Sequence, residues 1–260
     1  MKVVILCGGK GVRLKEETET KPKPMVEIGG MPILWHIMKI YASFEFCDFI
    51  LALGYKKNLI KNFFLNYEAT AQDFTIELGN LGKIELHNKH KEAGWRITLV
   101  DTGEDTLKGA RIKQLERYIP DETFMLTYGD GVADIDLTKL LSFHNSHKKM
   151  ATITAVRPPS RFGEIKAKDG KVVSFSEKPQ VSEGLINGGF FVFNRKIFNS
   201  LTERPDCDLE KDALEKLAAS GELMVYEHSL NWECMDTLRD MEHLNMLWKE
   251  KKAFWKVWSS

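Results

Sequence analysis

The sequence predicts an α/β layer fold built on a mainly parallel sheet. Three observations carry that reading. Short apolar runs that stop at glycine recur in the first half, as strands buried on both faces do. Between them lie stretches with apolar residues at three- and four-residue spacing, the period of a helix that buries one face. In the second half an Asp-Gly pair stands between two alternating runs, which predicts a hairpin and a sheet that is mixed there.

Taken in order, Val3-Val4-Ile5-Leu6-Cys7 is the first strand, ended by Gly8. Pro32 opens a helix, where its missing N–H costs nothing, and Ile33, Leu34, Ile37, Met38, Tyr41 and Phe44 continue one face of it. Phe49 to Leu53 is the second strand, ended by Gly54, and Asn58 to Tyr67 is a second amphipathic helix. Residues 66–96 break the rhythm: Gly79, Gly82, Gly94, histidines and charges surround apolar stretches such as Phe74-Thr75-Ile76-Glu77-Leu78. They are expected to form a hairpin-bearing insertion, a lid or an oligomer contact. Ile97 to Val100 and Phe124 to Tyr128 are further strands, separated by a helix around Ala110 to Tyr118. After the strand Ala151 to Val156, the run Glu164 to Phe175 is the hairpin around Asp169-Gly170. Asp208 to Ala219 and Thr237 to Lys249 are the last helices. No internal repeat, low-complexity segment or linker interrupts the sequence, so residues 1–260 are expected to be a single domain with insertions.

The totals exclude several classes. Lys+Arg and Asp+Glu both number 37, and a zero net charge argues against a general nucleic-acid partner, which needs a basic excess. No apolar run reaches the roughly 18 residues of a membrane span, and the run before Gly8 is too short for a signal-peptide core. Cys7, Cys47, Cys207 and Cys234 lie far apart without CxxC spacing, which suggests reduced thiols in the cytoplasm. His87, His90, His144 and His147 suggest no metal set. The first pair lies in the insertion without a third ligand, and the second pair is read onto a polar helix face.

The chemistry is concentrated in LCGGKGVRLKEETETKPKPM, residues 6–25. A Walker A loop needs G-x-x-x-x-G-K-[ST], and that string is absent. Gly9 and Gly11 fit a dinucleotide fingerprint, but its third glycine falls on Leu14. What remains is a glycine turn whose N–H groups can face an anion, followed by the forked cation of Arg13. The prolines of Lys21-Pro22-Lys23-Pro24 are expected to hold two lysines on a stiff, extended track, which lowers the entropy lost when a lysine binds phosphate. A plain turn and a solvated loop remain the local alternatives. Asp130, in Tyr128-Gly129-Asp130-Gly131, is either a ligand-reaching carboxylate at a strand end or a turn aspartate. Asp236 reads locally as a helix N-cap.

Leu6-Cys7-Gly8-Gly9-Lys10-Gly11-Val12-Arg13-Leu14, with Lys23 downstream, resembles the signature of the sugar-1-phosphate nucleotidylyltransferases. The resemblance covers essentially the whole chain. Its further blocks are KPKPMVEIGG (21–30), PILWHIMK (32–39), LVDTGED (99–105), TYGDG (127–131), Arg161-Phe162-Gly163, Glu177-Lys178-Pro179, INGGFFV (186–192), GELM (221–224) and MDTLRD (235–240). It implies a Rossmann-like three-layer αβα nucleotide-diphospho-sugar transferase fold. Within the family the blocks resemble most closely the branch that takes CTP and α-D-glucose 1-phosphate to CDP-glucose and pyrophosphate, a product that feeds bacterial surface polysaccharides.

The resemblance also implies roles. Arg13 and Lys23 meet the triphosphate, as their charge suggests, and Leu6, Cys7, Gly8, Gly9, Lys10, Gly11 and Val12 cradle the nucleotide with Thr106 and Arg111. Asp130 and Asp236 hold Mg2+. Lys178 contacts the sugar phosphate, with Gly163, Glu177, Asn187 and Gly188 around the sugar. A homo-oligomer, a hexamer in the family, is implied as well. The chain departs from the family pattern at Cys7 (usually alanine), Val12 (usually threonine), Asp212-Ala213-Leu214 (commonly Glu-Pro-Leu) and Cys234 (usually proline). Val12 removes a hydroxyl that can contact nucleotide. The same chemistry with UTP, dTTP or another sugar 1-phosphate, and a catalytically silent sensor on the same fold, are the competing readings.

Overall fold

The apolar runs come together as one seven-stranded sheet in the computed structural model, which describes residues 1–79, 83–158, 164–168, 171–176 and 184–259. The strands are β1 (Lys2–Cys7), β2 (Asp48–Leu53), β3 (Arg96–Asp101), β4 (Thr123–Tyr128), β5 (Ala151–Val156), β6 (Ile186–Asn194) and β7 (Leu223–His228). Their order is β7-β5-β6-β4-β1-β2-β3. Strand β6 is antiparallel to both neighbours, and every other pairing in the sheet is parallel. The sheet is therefore mixed as expected, but through β6. The expected hairpin pairs Glu164–Lys168 with Lys171–Ser176 in a separate two-stranded ladder, and its Asp169-Gly170 turn lies outside the described residues.

Alternate side chains of each strand feed two cores. Val3, Ile5, Phe49, Leu51, Phe190 and Val192 pack on one face, and Val4, Ile50, Phe124, Phe191 and Phe193 on the other. That is why the strands read as unbroken apolar runs: both faces are covered. Helices α1 (Ile33–Ala42), α4 (Leu137–His147) and α5 (Leu238–Lys249) cover the first face through Ile37, Leu140 and Leu244. Helix α2 (Lys57–Leu65) adds Ile60 to that face. Helix α3 (Lys108–Gln114) and the segment 210–219 cover the second face through Ile112, Ala213 and Leu217. The result is an αβα sandwich. Each large apolar side chain it buries contributes about 1.5–3 kcal/mol relative to exposure.

Three helix readings change. The second amphipathic stretch ends at Leu65, and a short helix Tyr67–Ala71 follows. Asn66 marks the break, its side chain donating to the Asn62 carbonyl at 2.8 Å and competing with the backbone ladder. The helix expected around Ala110 to Tyr118 is α3 followed by a 3-10 turn at Glu116–Tyr118. The helix expected over Asp208 to Ala219 begins with a π-helical turn, Glu210–Leu214, before Glu215–Ala219. The Asp208 carboxylate accepts from the backbone N–H groups of Glu210 and Lys211, both at 3.0 Å. In the 66–96 region, Phe74–Ile76 pairs antiparallel with Ile84–Leu86, and Phe74, Ile76, Ile84 and Leu86 are all exposed.

The burial of His36 and His144 follows from packing. His36 lies fully buried in α1, its Nε2 donating to the Ile28 carbonyl at 2.8 Å and its Nδ1 accepting from the Trp255 indole at 3.3 Å. Those partners require the neutral ring. The sequence reading placed His144 and His147 on a polar face. His144 is in fact buried, and both rings meet the Thr152 hydroxyl, at 2.9 and 2.8 Å. Burial pushes the pKa of His36 down to about 4, and burial with the neighbouring His147 does the same for His144. Their ordinary value is 6.5, so between pH 6.5 and 4 the unfolded chain binds protons that the folded chain refuses. Stability should fall as pH drops through that window. Urea unfolding at pH 7 and pH 5 should give a lower midpoint at pH 5, and His144→Asn should narrow the gap; equal midpoints in the native chain would contradict the assignment.

Candidate active site

The crevice that carries the expected residues opens at the carboxyl ends of β1 and β4. Strand β2 lies on one side of β1 and β4 on the other, so the chain order reverses there, the usual place for a ligand in an open α/β sheet. The cavity measures about 590 Å³, and Leu6, Gly8, Gly9, Gly11, Val12, Arg13, Lys23, Thr106, Arg111, Asp130, Asn187, Gly188 and Asp236 all line it.

At one end stands a charged centre. The Lys23 ammonium donates to Asp130 Oδ2 at 2.7 Å and to Asp236 Oδ1 at 2.5 Å, and Arg13 Nη1 meets Asp236 Oδ2 at 2.8 Å. Burial is the largest single effect and lowers the Lys23 pKa, but Asp130, Cys234 and Asp236 together outweigh it and hold the ammonium above the usual lysine value. Lys23 is not on an extended track as expected. It begins a 3-10 turn, Lys23–Met25, closed by Met25 N–H donating to the Pro22 carbonyl at 2.8 Å. That turn aims the side chain inward. The two carboxylates meet because the short strand Gly131–Ala133 pairs antiparallel with Trp232–Cys234, setting Cys234 opposite Gly131. Met235 N–H then donates to the Asp130 carbonyl at 2.9 Å. The N-cap reading of Asp236 is corrected as well. Thr237 caps α5 in a capping box with Asp240, which leaves the Asp236 side chain free to face Lys23.

Ligand atoms of Asp130, Cys234 and Asp236 lie within 4.8 Å of one another. Two carboxylates with crevice space beside them suit a hard divalent cation, and a cation already stands between them as the Lys23 ammonium. The donor set therefore fits a divalent metal. Cys234 is half-buried, and burial together with Asp130 pushes its thiol well above the usual range.

The glycine loop is held from beneath by Arg111. This guanidinium is buried, donating through Nη1 to Thr102 Oγ1 at 2.8 Å and to the carbonyls of Leu53 and Gly103 at 3.2 and 2.5 Å. Through Nη2 it donates to the carbonyls of Gly8 and Glu104 at 3.1 and 3.0 Å. It thus ties together the loops that follow β1, β2 and β3. A Cβ at Gly8 would lie 2.2 Å from Arg111 Cζ, which explains that glycine. Gly9 has open space at its Cβ position, and Gly11 has φ +64. Cys7 is buried in the core and does not line the cavity, and burial raises its thiol pKa. Lys10 reaches Asp105 at 2.7 Å on the surface, and Val12 is 76% exposed at the crevice lip.

Asn187 and Gly188 line the far end. Asn187 Nδ2 donates to the Tyr128 hydroxyl at 3.0 Å, that hydroxyl donates to Glu210 Oε1 at 2.7 Å, and Lys108 pairs with the same oxygen. Trp232 Nε1 donates to the Gly188 carbonyl at 2.8 Å. Sequence reasoning missed Tyr128, Lys108, Glu210 and Trp232. Only Tyr128 carried a local signal, as the residue before Gly129-Asp130. Gly163, Glu177 and Lys178, expected at the sugar phosphate, lie outside the described residues. His87 meets Thr75 at 2.7 Å and His90 meets Glu68 at 3.0 Å.

Residues 2–251 match a family model described as Nucleotidyl transferase. The chain is 49% identical over 259 residues to the glucose-1-phosphate cytidylyltransferase of Salmonella typhimurium, covering 99% of this chain and 100% of that one. It is 45% identical over 258 residues to a Bacillus subtilis protein named "Probable glucose-1-phosphate cytidylyltransferase", covering 99% and 100%. Among solved structures it superposes on HddC from Yersinia pseudotuberculosis complexed with GMP-PN, with a TM-score of 0.69 and 24% identity over 95% of this chain and 99% of that one. That last likeness is one of fold.

The role of Arg111 is testable apart from any reaction. Arg111→Met removes the donor to the carbonyls of Gly103 and Glu104 and one of the donors to those of Gly8 and Leu53, and should destabilise the chain by about 1–3 kcal/mol. Urea unfolding measures this, and a midpoint equal to that of the native chain would show that the loops hold themselves.

Proposed function

This chain belongs to the nucleotidyl transferase family, and within it we propose that the crevice joins CTP to α-D-glucose 1-phosphate, giving CDP-glucose and pyrophosphate. The observation that carries the reading is the convergence of Arg13, Lys23, Asp130 and Asp236 beside the glycine loop. The Salmonella typhimurium relative, covered over its full length, supplies the choice of base and sugar.

The reaction needs little proton chemistry. A sugar phosphate is already an anionic nucleophile, so the work lies in holding two anions in line and neutralising charge at the α-phosphorus and the leaving pyrophosphate. The loop from Leu6 to Gly11 approaches the nucleotide with backbone groups, and Lys10, Val12, Thr106 and Arg111 flank or support it. Arg13 and Lys23 face the triphosphate. Asn187, fixed by Tyr128, and Gly188, fixed by Trp232, receive the sugar. By the family pattern Gly163, Glu177 and Lys178 join them, with Lys178 toward the sugar phosphate. Asp130 and Asp236 would hold Mg2+, which when bound supplies charge at the α-phosphate.

Among the described residues no helix is long and apolar enough to cross a membrane, and two small charged substrates fit a cytoplasmic reaction. The reading keeps residues 1–260 as one domain and includes a homo-oligomer. The hairpin at 74–76 and 84–86 supports an oligomer, since Phe74 opposes Leu86 and Ile76 opposes Ile84 on one exposed apolar face. Light scattering after Phe74→Ser with Ile84→Ser should show a smaller assembly than the native chain; an unchanged mass would remove the hairpin from the contact.

Pyrophosphate release with Mg2+, each nucleoside triphosphate and a panel of sugar 1-phosphates tests the reaction itself. CTP with glucose 1-phosphate should be the best pair. Preference for UTP or dTTP would overturn the choice of base, and no release with any pair would leave a silent sensor. Asp130→Asn and Asp236→Asn should each lower turnover by roughly 10²-fold or more while the thermal midpoint stays near native. Full turnover in both would remove them from the centre.

A further inference from the structure

Lys23 stands in the space that a divalent cation at Asp130 and Asp236 would need. Its ammonium takes one oxygen from each carboxylate, at 2.7 and 2.5 Å, and those carboxylates lie within 4.8 Å of each other. Arg13 takes the remaining Asp236 oxygen at 2.8 Å, but its side chain is 67% exposed and it reaches only one of the two acids. From this geometry we infer that Lys23 is a built-in counter-ion: it keeps the two-carboxylate centre weak for divalent metal until an anionic phosphate draws the ammonium away. The inference rests on the reading of Asp130 and Asp236 as the metal carboxylates.

An ammonium and a metal ion cannot share the space between the same two oxygens. A metal entering the ligand-free centre must break two charge-assisted hydrogen bonds, so it gains only the difference between its own attraction and that of Lys23. The backbone of Lys23 is fixed by the Lys23–Met25 turn, while Nζ rides on a flexible four-carbon stem that also lines the crevice. A triphosphate in the crevice offers that ammonium a competing set of anionic oxygens. Once Nζ turns to them, the paired carboxylates are left facing each other and their demand for a cation rises. Nucleotide and metal binding are then coupled positively, and linkage makes the coupling reciprocal. The same residue thus serves the carboxylates in one state and the phosphates in the other.

The test is the affinity of the nucleotide-free, full-length chain for Mn2+, read from the electron paramagnetic resonance signal of the free ion. Lys23→Met should bind Mn2+ about tenfold more tightly than the native chain or better, because a cation within hydrogen-bonding distance of both ligands has been removed. Lys23→Gln provides the same measurement if the methionine variant folds poorly, as judged by circular dichroism. Lys23→Arg keeps the charge and should keep Mn2+ binding weak. Equal or weaker Mn2+ binding in Lys23→Met and Lys23→Gln would overturn the inference, as would an arginine variant as tight as the methionine one. Adding Asp236→Asn to Lys23→Met separates the two layers of the argument. Loss of the gain in the double variant supports both. A gain that survives it shows that the metal sits elsewhere and sinks the reading of Asp236, whereas Mn2+ binding that depends on Asp236 without any gain from Lys23→Met sinks the counter-ion alone.

Discussion

The ion pair between Lys23 and the two carboxylates Asp130 and Asp236 is the constraint around which the site is arranged. Its three members come from a proline-flanked turn near the N-terminus, the turn just after a central strand, and the residue before the N-cap of the last long helix. Two half-buried carboxylates would repel each other strongly in that space without a cation. The chain supplies one, and the rest of the crevice is built so that the carboxylates still face open volume.

Two pieces of ordinary structural chemistry make this possible. The first is the sheet order, which reverses next to β1 and leaves a gap above the carboxyl ends of β1 and β4. The second is the short ladder between Gly131–Ala133 and Trp232–Cys234, which fixes Asp130 and Asp236 through backbone pairing and so independently of the charges they carry. Arg111 does the corresponding work beneath the glycine loop. Its guanidinium replaces water for the carbonyls of the loops after β1, β2 and β3, which lets those loops turn their other side to the crevice. Rigid parts hold the loops, and the flexible stem of Lys23 is the piece left able to move.

Much of this was legible in the sequence where the signal is local. Continuous apolar runs marked β1, β2 and β4, and glycine after Cys7 and Leu53 marked their ends. Arg13, Lys23, Asp130 and Asp236 were each singled out, and the structure gathers them. Where two local rules compete, the sequence alone was misleading. Both Asp236 and Thr237 are good N-cap residues; Thr237 takes the cap in a box with Asp240, and Asp236 turns instead to the distant Lys23. His144 looked solvated on a polar helix, yet Thr152 in β5 takes it into the interior. The Tyr128, Glu210 and Lys108 contacts join a strand, a π-helical turn and a helix far apart in the chain, so no spacing rule reveals them. Arg111 reads as an ordinary helix-face arginine, because its acceptors are backbone carbonyls that carry no side-chain signature.

The central claim is that these residues act by charge and position on a direct attack at the α-phosphorus, with no residue of the chain as nucleophile. The stereochemistry at that atom is the most direct test. The Sp diastereomer of CTP sulfur-substituted at the α-phosphate, reacted with glucose 1-phosphate, should give product with inverted configuration at phosphorus. Retention would mean two successive displacements through a covalent intermediate on the chain, and it would contradict the account.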